Sequence, residues 1–116
     1  MKYLSLLSLL FAVPAHAHDA EILKAVGIES NGIYSFSVTL AHAETGWDDY
    51  ADGWRVELQD GTILGTRVLA HPHTNEQPFT RSLSRVAVPG GTQKVFIRAK
   101  TLADGWSNKR FAVPLN

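Results

Sequence analysis

The chain has 116 residues, no cysteine, one methionine, and 11 basic against 11 acidic residues for a formal net charge of zero. That length holds one domain, and the charge balance excludes a nucleic-acid binder working by bulk electrostatics. Without cysteine there is no disulfide framework, iron–sulfur cluster, thiolate zinc site or cysteine nucleophile.

The first segment reads as an address. Met1-Lys2-Tyr3 gives a short positive start, Leu4 to Val13 an apolar run, Pro14 a break and Ala15-His16-Ala17 a small-residue cleavage site. This is the layout of a secretory signal peptide, and the run is too short for a membrane-spanning helix. The expected division is a cleavable leader over 1–17 and a mature domain over 18–116, with cleavage after Ala15 as the alternative. Either product begins on a histidine. No cysteine is present to be acylated. The expected location is therefore periplasmic or secreted.

The remainder reads as short strands with turn punctuation. Ile22, Val26 and Ile28 lie at even intervals in the segment 21–30, and Asn31-Gly32 signals a hairpin. Tyr34, Phe36, Val38 and Leu40 alternate with small polar residues, the pattern of a strand with one buried face. Trp54, Val56 and Leu58 repeat it, Asp60-Gly61 turns the chain, and 63–69 returns. A shorter strand is expected over 82–88, stopped by Pro89-Gly90-Gly91. Val95, Ile97 and Ala99 alternate next, Asp104-Gly105 turns again, and 110–115 makes the last strand. About seven strands without an amphipathic helix predict an all-β, single-domain antiparallel sandwich of immunoglobulin or fibronectin type, with a small barrel as the alternative. The tetrapeptide Ala51-Asp52-Gly53-Trp54 recurs at 103–106. Asp-Gly suits a turn and tryptophan a following strand, so the repeat reads as turn chemistry rather than as two arms of one site.

Two connections are long for a sandwich, 42–53 and 71–82, and long ordered loops are disproportionately functional. The run Gly46 through Trp54, then Leu64-Gly65-Thr66-Arg67-Val68-Leu69, then His71-Pro72-His73 with Glu76-Gln77-Pro78-Phe79-Thr80-Arg81-Ser82, resembles a family of small secreted proteins of Gram-negative bacteria. The resemblance spans nearly the whole mature chain. It implies a periplasmic protein and brings no catalytic residues with it.

Histidine is the leading chemical signal. Imidazole is the commonest metal ligand at neutral pH, and on extended backbone His71 and His73 share a face. Glu76 offers an oxygen, His42 arrives from the end of another strand, and His18 lies at or near the mature amino terminus. These five residues form the expected metal set. A sulfur-free mature chain restricts the ligands to nitrogen and oxygen, which favours Cu(II) or Zn(II). An amino-terminal histidine on a sandwich is also similar to periplasmic copper-resistance proteins of the C type, although their methionine-rich and downstream ligand motifs are missing here. Asp48 to Asp52 departs from an EF-hand loop, with Gln59 where a bidentate glutamate is needed. No nucleophile elbow surrounds Ser82 or Ser84, so no enzyme activity is expected.

The competing expectation is a metal-free interaction module for an envelope or secreted protein partner. Trp47, Tyr50, Phe79 and Arg81 are residue types enriched in binding hot spots. The two loops are expected to pack together, with Arg81 paired to Asp48, Asp49, Asp52 or Glu76.

Overall fold

A computed structural model describes residues 19–115 of the chain. The expected leader and His18 lie outside the described residues. Among these residues the fold is all-β, with β1 Glu21–Ser30, β2 Ile33–Ala41, β3 Ala51–Glu57, β4 Ile63–Val68, β5 Phe79–Ala87, β6 Lys94–Thr101, β7 Gly105–Trp106 and β8 Phe111–Pro114. All pairings are antiparallel. No helix among them is long and apolar enough to cross a membrane.

Two sheets form, in the orders β1-β2-β5 and β4-β3-β6-β7, with β8 also on β6. Placing β4 beside β3 rather than beside β5 gives a three-stranded layer facing a five-stranded one, the expected immunoglobulin/fibronectin-like sandwich. Period-2 alternation supplies the core. Phe36, Val38 and Leu40 point inward from β2, Trp54 and Val56 from β3, and Val95, Ile97 and Ala99 from β6, all essentially buried. Each side chain of that size stabilises the fold by roughly 1.5–3 kcal/mol relative to exposure.

The turns follow the expected chemistry. Asn31 and Gly32 have φ of 56° and 84°, the left-handed pair that a type I′ hairpin requires. Asp60 accepts bonds from the backbone N–H and hydroxyl of Thr62 at 3.0 and 2.7 Å. Glycine also makes room for close packing within and between the layers. A Cβ on Gly65 of β4 would lie 3.0 Å from Leu83 of β5, and one on Gly27 of β1 would lie 2.7 Å from Phe36 and 3.3 Å from Leu115. Arg67 donates to the Ser82 carbonyl at 2.9 Å and links β4 to β5.

The strand count is refined, and two expectations are corrected. Among the described residues there are eight strands, because the Asp104-Gly105 turn delivers a two-residue strand, β7, onto β6. The strand expected over 82–88 begins at Phe79, since Leu40 pairs with Phe79 and Thr39 with Thr80. Of the two Ala-Asp-Gly-Trp copies expected to supply turns, only the second does, because the first lies within β3. Trp54 is fully buried, whereas Trp106 lies half-exposed on the outer face of the larger sheet.

Candidate functional site

The long loops 42–50 and 69–78 meet at one end of the sandwich, as expected, but the group that joins them is Glu44. It sits just past β2, and its side chain is fully buried. Oε2 accepts the backbone N–H of Ala51 at 2.8 Å, at the start of β3. Oε1 accepts the backbone N–H of His73 at 2.6 Å, in the second loop. The ring of His42 adds a third contact, Nδ1 to Oε2 at 3.2 Å. A buried carboxylate needs such donors, because desolvation without them is very costly.

Gln77 adds a second strap. Its carbonyl oxygen accepts the His42 backbone N–H at 2.9 Å, and its amide donates to the His73 carbonyl at 3.0 Å. The first loop closes on itself through Thr45 N–H to the Asp49 carbonyl at 3.2 Å and Asp49 N–H to the Gly46 carbonyl at 3.3 Å.

This framework fixes what each histidine can do. The His42 ring is buried between Glu44 and Asp49, with Nε2 4.0 Å from an Asp49 oxygen. His73 is buried and stacks on Phe79, ring centroids 4.0 Å apart and nearly parallel. Its Nδ1 has no hydrogen-bond partner and lies 3.8 Å from Glu44 Oε1. Burial pushes the His73 imidazole below its ordinary pKa, and the positive field of Arg81 adds to the effect. His71 is exposed, with Nδ1 donating to the Pro72 carbonyl at 3.0 Å and its ring 4.7 Å from that of His73.

The structure therefore brings His71 and His73 together and separates the rest of the expected metal set. His42 is committed to the buried carboxylate of Glu44 and faces the partly exposed Asp49. Glu76 is exposed and held by both terminal nitrogens of Arg81, at 3.3 and 3.0 Å. Arg81 thereby holds the Glu76 carboxyl below the usual carboxylate range. Among the described residues no group of three or more His, Asp or Glu side chains is placed to hold a metal ion.

The expected partner-binding residues divide in the same way. Phe79 is buried, because its ring is the base on which His73 packs, so it belongs to the core and not to an exposed surface. Arg81 ties to Glu76 within its own loop, not to Asp48, Asp49 or Asp52 across the gap. Trp47 is 67% exposed and stands edge-on to Tyr50 at 5.7 Å. Beside it runs an open groove of about 540 Å³, lined by Trp47, His71, Pro72, Thr74, Asn75 and Glu76. Glu44, the residue sequence reasoning missed, carried only one signal, its position two residues after His42 at a strand end.

No protein-family model matches the chain, and no solved structure matches it. One relative, a protein named "Putative lipoprotein" in Halomicrobium mukohataei, is 44% identical over 78 residues. The match covers 67% of this chain but 38% of that protein, so the chain spans well under half of the relative's length.

Proposed function

We propose that this protein is a non-catalytic interaction module of the cell envelope or periplasm that recognises a protein partner through the loop end bearing Trp47. The observation that carries the reading is the exposure of Trp47 on a loop that is otherwise pinned from beneath. A solvent-facing tryptophan is a common anchor of binding energy. Here Tyr50 at its edge and the Glu44 framework below reduce the ordering cost of using it. Thr74, Asn75, Glu76 and the ring of His71 supply polar contacts along the adjoining groove. The envelope location draws support from the lipoprotein name of the relative and from the signal-like sequence at 1–17.

In this reading His42 and His73 hold the loops in place, and the site works without Cu(II) or Zn(II). The metal alternative has the adjacent His71 and His73 rings in its favour and, among the described residues, no third converging ligand. Affinity capture from an envelope extract, comparing the wild-type chain with Trp47→Ala, tests the first reading. The partner is expected to be lost with the ring, and its retention would overturn this surface. Titration of each metal into wild type and a His71→Ala, His73→Ala variant tests the alternative. Tight binding that depends on those two rings would restore it.

A further inference from the structure

The outer face of the five-stranded sheet carries a second, unrelated feature. Arg55 on β3 and Arg98 on β6 are direct cross-strand partners, an arrangement that repels unless something compensates it. Glu57 supplies that compensation. Its side chain is buried beneath the guanidinium groups, with Oε2 accepting from Arg55 Nε at 2.6 Å and from Arg98 Nε at 2.8 Å. Oε1 accepts from Arg98 at 3.2 Å and from Arg110 at 3.2 Å. Three guanidinium charges thus meet one carboxylate, which leaves two positive charges over in a chain whose formal net charge is zero.

These arginines are held rigidly. Arg55 lies over the Trp106 ring at 4.0 Å, and Arg110 lies over Phe96 at 4.1 Å. Arg98 also donates to the Ser107 carbonyl, and Arg110 to those of Leu58 and Gln59. Arg55 reaches Glu57 through Nε alone. Lys94, exposed beside Phe96, adds a further cation. The fifth cation of the face, Lys100, is neutralised by Asp52 at 2.7 Å.

We propose that this face binds an acidic polysaccharide through its carboxylate groups. A planar guanidinium fixed in orientation suits planar oxyanions. Attraction to an anionic membrane works with mobile, interchangeable basic side chains, and these arginines are neither. An extended polymer matches a flat sheet face over which Arg55, Arg98, Arg110 and Lys94 are spread. The choice of a polysaccharide over a nucleic acid rests on the envelope location proposed above, whereas the surface itself is separate from the Trp47 loop end.

The test is retention of the purified chain on immobilised polygalacturonate at pH 7 and about 0.01 M salt, where charges act over about 30 Å. Retention and its release by rising salt are expected, with Arg55→Gln and Lys94→Gln each weakening it severalfold or more. Lys24→Gln removes the same charge from the opposite sheet and should change little, and Trp47→Ala should change nothing. Lys94 is exposed, so its variant keeps the test valid if Arg55→Gln disturbs the fold. No retention of wild type, equal weakening by Lys24→Gln, or binding to phosphatidylglycerol vesicles in place of the polymer would overturn the proposal.

Discussion

Two glutamates are buried at opposite ends of β3, and they are satisfied in opposite ways. Glu44 receives backbone N–H groups from Ala51 and His73, with the His42 ring as its third neighbour. Glu57 receives three arginines. Burial raises the pKa of Glu57, yet the hydrogen bonds from Arg98, Arg55 and Arg110 outweigh it and bring the carboxyl down to about 2. One acid is a buried latch between two loops that Gln77 also straps. The other is the counter-charge that lets like-charged strands lie side by side. Backbone donors join two separate loops, while stacked and hydrogen-bonded guanidinium groups supply charge across a single sheet face.

Removing each acid should expose that difference. Glu44→Ala strands two buried backbone donors and severs the loops, so it should cost the most, about 3–5 kcal/mol. Urea unfolding at pH 7 measures it. Glu44→Gln offers one acceptor oxygen where two are used, and should recover only part of the loss.

Glu57→Gln should cost less, about 3 kcal/mol at neutral pH, because the amide keeps one acceptor oxygen for the guanidinium groups. The size follows from the fall of the carboxyl from 4.5 to about 2, at about 1.4 kcal/mol for each pH unit. Since the folded pKa is depressed, this stabilisation is complete above pH 4.5 and is lost as pH falls toward 2. Acid unfolding curves of wild type and variant should therefore converge at the acid end.

A smaller effect separates the two ends by pH. His73 is held below its ordinary pKa, so the unfolded chain takes up the proton first, and stability declines as pH falls below about 6.5. His73→Phe keeps the ring against Phe79 and removes no hydrogen bond from Nδ1. It should match wild type near pH 8 and lose less stability on acidification, which thermal melts across that range would register. The smallest change is Trp106→Ala, which takes a half-exposed ring from under Arg55. It should cost about 0.5–1 kcal/mol and leave the Glu57 titration in place, a result that would locate the work of this cluster in its charges.

The strands were legible in the sequence because each rests on local information. Tyr34 to Leu40 alternate visibly, and Asn31-Gly32 and Asp60-Gly61 mark their own turns. The meeting of the two loops was legible from their length and composition. What joins them was not, because Glu44 gains its role from residues 51 and 73, which only the folded chain places beside it. Glu57 was hidden for the same reason. It occupies an outward position on β3, where a charged side chain is unremarkable until register sets Arg98 opposite Arg55. Phe79 misled because Pro78 before it reads as loop, whereas pairing with Leu40 makes it the first residue of β5.

The Glu44 latch also bears on how long the molecule stays folded. The hairpins β1–β2 and β3–β4 are joined by tight local turns, but β2–β5 and β3–β6 close distant stretches of chain, and such topologies fold slowly. Glu44 sits near the end of β2, while its donors open β3 and lie in the loop before β5. It can engage only after both layers have docked, late on the folding path. A contact made after the transition state slows unfolding without speeding folding. Stopped-flow traces of Glu44→Gln should thus show an unchanged folding limb and a faster unfolding limb. The latch sets the lifetime of the native state rather than the time needed to reach it.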